Sequence, residues 1–158
     1  MNILAVIISG LILNNFLSAL LFLTFLVPLR LFCGGYHAKT YFMCNIVMFL
    51  SYLGVYFFSF YLAKFLTIEI ISILFIIGYS PIYMFCPMQN KNKNIISPHK
   101  KEKFSFISKF LYIFSSSVSL FTFIISIFYS IFILLTVLLV PVFILLEFFL
   151  GRRKDNES

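Results

Sequence analysis

The chain has 158 residues, of which 62% are hydrophobic, 20% aromatic and only 11% charged, with a mean hydropathy of +1.08 and a formal net charge of +7. So little polar surface cannot cover a water-soluble globule, which excludes the soluble classes and leaves one integral-membrane domain over residues 1–158. The positive charge does not signal nucleic acid: the cations fall in short loops between apolar runs, where they set membrane orientation and meet anionic lipid.

The opening "MNILAVIISGLIL" carries no Lys or Arg before its apolar run, so it lacks the head of a signal peptide and counts as structure. Ile3 to Leu29 reads as one long first span, more than a ~30 Å hydrocarbon core requires and therefore tilted. Asn14 and Asn15 lie in its middle and are expected to face another helix, in the bundle or in a homodimer, because an unpaired amide in hydrocarbon is costly. After a short polar loop, a second span runs from about Tyr41 to Ala63 and a third from about Leu66 to Tyr83, ending near Pro81. The extended polar stretch "CPMQNKNKNIISPHKKEK", Cys86 to Lys103, follows. From Phe104 to Leu150 the chain is apolar again, long enough for two spans joined by a tight turn near Ser126 to Ser130, with a kink at Pro141 in the last. The expected fold is all-α, a polytopic bundle of five transmembrane helices.

The cations orient it. With five spans, Arg30 and Lys39 in the first loop, Lys91, Lys93, Lys100, Lys101, Lys103 and Lys109 around the second, and Arg152, Arg153 and Lys154 in the tail all fall on one side, leaving Lys64 alone opposite. Positive loops stay cytoplasmic, which puts the N-terminus outside and the C-terminus inside.

The first of these loops concentrates the reactive side chains in "RLFCGGYHAKTYFMC", Arg30 to Cys44. Thr40 is a good N-cap for the second span and sets Cys44 near the first turn, where free backbone N–H groups and the helix dipole favour a thiolate. His37 precedes the cap, and Gly34 and Gly35 let the backbone fold back, so His37 can reach Cys44 as it could not along one straight helix. A Cys–His dyad of this kind performs acyl transfer through a thioester. Backbone N–H groups near Gly34, Gly35 or the start of the second span are candidate oxyanion donors, with Arg30 as support for the loop. No third residue stands out to orient His37; the neighbouring Asn45 has no better claim than a backbone carbonyl. Cys33 remains the competing nucleophile, without the advantage of a helix N-terminus. Cys33, His37 and Cys44 lack a fourth ligand and a Cys-x-x-Cys pair, so neither a metal nor another cofactor is expected. Three cysteines without framework spacing, all placed on the reducing side, do not predict a disulfide scaffold. Glu69 and Glu147 sit near span ends, and the aspartyl, zinc and serine protease patterns have no residues to stand on. The kinked last span fits equally well a non-catalytic membrane protein that binds or moves peptides.

The same segment resembles the signature of the accessory gene regulator B family of bacterial quorum sensing, through Arg30, Gly34 and Gly35, "YHAKT" from Tyr36 to Thr40, and Cys44. "CPMQNKNKNI" and the basic run to Lys103 are similar to that family's Pro- and Lys-containing loop, with Asn94 where a Pro is common. The resemblance implies a membrane cysteine endopeptidase with His37 and Cys44 as its catalytic pair. Its partner would be a short propeptide, held as a thioester and released as a cyclic thiolactone or lactone. Lys39, Lys91, Lys93, Lys100, Lys101 and Lys103 are then candidates for holding an acidic part of that propeptide. Family members carry a further amphipathic segment before the first span, which is not found ahead of Ile3.

Overall fold

The computed structural model describes residues 3–34, 41–87 and 98–155. These form six helices: α1 (Ile3–Ile12), α2 (Phe16–Cys33), α3 (Tyr41–Leu62), α4 (Ile68–Phe85), α5 (Pro98–Ile125) and α6 (Ile127–Asp155), with no strand among the described residues. Five of them, α2 to α6, are long and apolar enough to cross a bilayer, so the chain is a multi-pass membrane protein. At 1.5 Å per residue the ten-residue α1 covers only about 15 Å and does not cross.

The expected single span from Ile3 to Leu29 is therefore corrected. The chain breaks between Ile12 and Phe16, and the two asparagines make the break. Asn14 adopts the left-handed region at φ 51°, which Asn tolerates better than other residues with a Cβ. Asn15 caps α2: its Oδ1 accepts the Ser18 N–H at 3.2 Å, and the Tyr129 hydroxyl of α6 donates to the same oxygen at 3.3 Å. These residues thus sit at the end of a span, with Asn15 facing another helix and Asn14 exposed. Beyond the break α1 folds back onto α2. A Cβ on Gly10 would stand 2.6 Å from the Ala19 Cβ, so only glycine permits this approach.

α6 is the centre, packed against α2, α3, α4 and α5. Its sequence is apolar on every face, the pattern of a helix enclosed by others, and Ile131, Phe132, Leu134, Val137 and Ile144 are buried from it. The α5–α6 connection narrows to Ser126, where a tight turn is expected. Just inside it Ser119 and Ser130 exchange hydroxyl-to-carbonyl bonds of 2.8 Å each, small residues that draw the two backbones together. α4 does not stop at Pro81 but continues to Phe85, since the one N–H that Pro lacks is tolerated within a bundle. Gly78 lets α4 sit against α5 and α6: a Cβ there would meet the Tyr112 hydroxyl and the Leu138 side chain at 2.5 Å. The Tyr112 hydroxyl in turn donates to the Phe75 carbonyl at 2.9 Å.

Lipid-facing hydroxyls bond back to their own helix, as Ser72 does to the Ile68 carbonyl and Ser117 to that of Ile113. Outward faces carry exposed Phe57, Phe58, Ile76, Ile77, Ile124 and Ile125, a surface made for hydrocarbon and not for water. Phe32 meets Phe104, Phe85 meets Phe148 and Arg30 lies over Phe143. The C-terminal ends of α2, α4 and α6 and the N-terminal ends of α3 and α5 therefore gather at one end of the bundle.

Candidate active site

At that end α2 delivers Arg30 into the interior. The last turn of a helix favours a cation through the dipole, but Arg30 is only 8% exposed and needs partners that do not bring water. Its Nη1 donates to the Met48 Sδ at 3.0 Å, and its Nη2 lies 3.9 Å from the Cys44 Sγ. Its guanidinium carbon stands 4.9 Å from the centre of the Phe143 ring of α6, in cation–π range. Two polarisable sulfurs and an aromatic face thus take part in enclosing the charge. Cys44 is the fourth residue of α3, within the turn whose backbone N–H groups have no intrahelical acceptor, and it is half-buried. One turn further along the same face stands Met48.

Cys33 lies elsewhere. It ends α2, fully buried, with its thiol hydrogen-bonded to Cys86 at the end of α4. The Cys86 Sγ donates to the Ser108 hydroxyl at 3.0 Å, which donates to the Phe104 carbonyl at 2.7 Å. The bond with Cys33 holds the Cys86 thiol below its ordinary value, against the effect of burial. All three thiols are free.

Of the residues singled out in the sequence, Arg30 and Cys44 are brought together. Gly34 ends α2 at φ 76°, a conformation that favours glycine, and its N–H donates to the Arg30 carbonyl at 3.1 Å, so that donor is engaged in closing the helix. Lys101 and Lys103 are exposed in the first turns of α5, while Lys109 further along is half-buried over the Tyr83 ring at 4.3 Å. Gly35, His37, Lys39, Thr40, Lys91 and Lys93 lie outside the described residues, as does the side chain of Lys100. Met48 and Phe143 escape a reading of the loop alone. Met48 is one turn past Cys44, but its tie to Arg30 depends on how α2 packs on α3. Phe143 comes from the far end of the chain and has no local signal.

The profile of the family described as accessory gene regulator B matches residues 1–149. The chain is 32% identical over 107 residues to the AgrB-like protein 2 of Clostridium perfringens strain 13, covering 65% of this chain and 50% of that one. It is also 32% identical over 108 residues to the AgrB-like protein of Clostridium perfringens strain SM101, with the same shares of each chain. The matched segment thus spans half the length of these curated relatives. No solved structure matches.

Proposed function

Because the chain belongs to the accessory gene regulator B family, we propose that it is a membrane-embedded cysteine endopeptidase of a peptide quorum-sensing system. It cleaves a short propeptide of the kind that partners such proteins and promotes cyclisation of the retained part to a pheromone. Cys44 attacks the scissile carbonyl. His37 takes the thiol proton and returns it to the leaving amine. The thioester then passes to a Cys or Ser side chain of the peptide itself, giving a thiolactone or a lactone. The Lys-rich segment between α4 and α5 attracts an acidic part of the precursor and anionic lipid, at the cytoplasmic face by the positive-inside rule.

The observation that carries this reading is the Arg30 guanidinium against the Cys44 sulfur, 3.9 Å away in a site that Met48 and Phe143 help to enclose. The Arg30 charge faces the sulfur that performs the attack, and a thiol that merely filled space would need no such neighbour. Arg30 acts here as a positioning residue.

Co-expression with a candidate precursor tests the reading, with cleavage followed by mass spectrometry. Cys44→Ala and His37→Ala are expected to abolish processing, whereas Cys33→Ala retains it. Full processing by the Cys44→Ala protein would overturn the assignment.

A further inference from the structure

Lys109 is the one cation between Phe104 and Leu150, and it lies in the part of α5 that is long and apolar enough to cross a bilayer. It is half-buried, with its Nζ 4.3 Å from the centre of the Tyr83 ring of α4. Counted from the far ends of the two helices, Tyr83 is about 22 Å from Ile68 and Lys109 about 24 Å from Ile125. In a hydrocarbon core of ~30 Å both therefore lie just inside the boundary, at the end of the bundle that holds Arg30 and Cys44. Among the described residues no carboxylate pairs with Lys109. Glu102, on the same helix, is exposed two turns away, about 10 Å along the axis. An ammonium at this depth calls for a counter-charge that the described protein does not supply.

Beside it lies an open hollow of about 460 Å³, lined by Ile76, Tyr79, Ser80, Tyr83 and Met84. The hydroxyls of Ser72 in α4 and of Ser116 and Ser117 in α5 bond back to their own helices. Ser80 is exposed and has no hydrogen-bond partner among the described residues. Ile76 and Ile73, four and seven residues before it, are exposed too and continue one apolar stripe of α4.

We propose that this face of α4 and α5 is a binding site for one anionic phospholipid. Its phosphate diester lies between the Lys109 ammonium and the Ser80 hydroxyl, and an acyl chain runs along Ile76 and Ile73. The site is distinct from the Lys-rich segment, whose cations attract an anionic surface without selecting one molecule of it. Charge sets the choice of lipid. A zwitterionic headgroup cancels its own phosphate and offers a choline, but the Tyr83 face that would attract choline is already taken by Lys109. A headgroup of net negative charge supplies the missing counter-charge. The proposal stands apart from the peptidase reading and survives its failure.

The test exploits the absence of tryptophan from the chain. Met84→Trp puts one fluorophore in the lining of the hollow, at a depth tryptophan favours. The full chain is placed in phosphatidylcholine–phosphatidylglycerol vesicles of one composition, with brominated chains on either the one lipid or the other. Quenching then gives the share of each lipid beside the tryptophan. Phosphatidylglycerol is expected to be enriched about fivefold over its share of the bilayer, the scale of one lysine beside an anionic headgroup. Lys109→Gln should abolish the enrichment and Lys109→Arg should keep it. Lys101→Gln combined with Lys103→Gln should leave it unchanged.

No enrichment in the Met84→Trp protein overturns the proposal. So does enrichment that survives Lys109→Gln or vanishes with Lys101 and Lys103, the mark of diffuse attraction by the loop. Weak quenching by both lipids that rises as the protein is diluted in lipid overturns it as well, since a second copy of the chain then covers the face. Should Lys109→Gln lower the helix content, Lys109→Met takes its place; should Met84→Trp do so, Ile76→Trp carries the fluorophore, under the same criteria.

Discussion

Cys33 and Cys44 flank the same short loop, yet their sulfurs live in opposite surroundings. Cys33 is fully buried and joins Cys86, Ser108 and the Phe104 carbonyl in a chain of neutral hydrogen bonds that ties together the ends of α2, α4 and α5. Cys44 is half-exposed near a helix start and faces a cation. The first arrangement satisfies polar groups and asks nothing further of them. The second maintains a buried charge that a purely structural site would do better without, since replacing buried ions by apolar groups is often neutral or stabilising. On the proposed function, the difference separates a sulfur that fastens helix ends from one that serves as a reagent.

The largest expected effect tests the contrast directly. In vesicles near neutral pH a membrane-permeant maleimide should modify Cys44 roughly a hundredfold faster than Cys33 or Cys86, because those two thiols are buried and hydrogen-bonded while Cys44 is half-exposed. Peptide mapping of the labelled protein gives the rates. Comparable labelling of all three would erase the distinction.

Next comes Arg30→Met, which removes the charge and keeps an apolar side chain of some length. The guanidinium faces the sulfur at 3.9 Å, so with the charge removed iodoacetamide alkylation of Cys44 at neutral pH should slow about tenfold. Arg30→Lys should recover some of the loss, the ammonium being a charge without the planar fork. The fold should persist in both, as judged by helix content and thermal midpoint. An unchanged alkylation rate in Arg30→Met would show that the guanidinium serves packing only.

A smaller effect is expected on the other side of the comparison. Ser108→Ala removes the acceptor of the Cys86 thiol and should cost about 1 kcal/mol, read as a lower thermal midpoint in detergent. Alkylation of Cys44 should not change. A change there would mean that the two sulfur sites communicate through the end of α2, and the fastener would become part of the reagent.

The bundle was legible because apolar length and the side taken by the cations are global signals that local detail does not blur. The first span was misread for a reason that lies in the same residues. An uninterrupted apolar run hides a break: by spacing alone Asn14 and Asn15 are polar residues in mid-helix, whereas their aptitude for left-handed backbone and for capping is the better guide. Pro81 misled in the opposite sense, since an enclosed helix absorbs a proline that would end an exposed one. At the site, Arg30 and Cys44 were readable from one loop. Their enclosure was not, because Met48 and Phe143 acquire their roles through the packing of α2 on α3 and α6. The link from Cys33 to Cys86 likewise depends on which helix ends share one end of the bundle.

Met48→Leu is the smallest and finest test. It conserves volume, so stability should change by less than about 1.5 kcal/mol. It also removes the sulfur that accepts from Arg30 Nη1 at 3.0 Å, while Nη2 still faces Cys44. If the charge itself governs Cys44, alkylation should fall no more than about twofold, since the guanidinium keeps its place through its planar fork and the Phe143 ring. A loss as large as that of Arg30→Met would mean that the guanidinium is held in register by the thioether. Met48, one helical turn from the thiol, would then be the residue that turns a buried cation into a neighbour of Cys44.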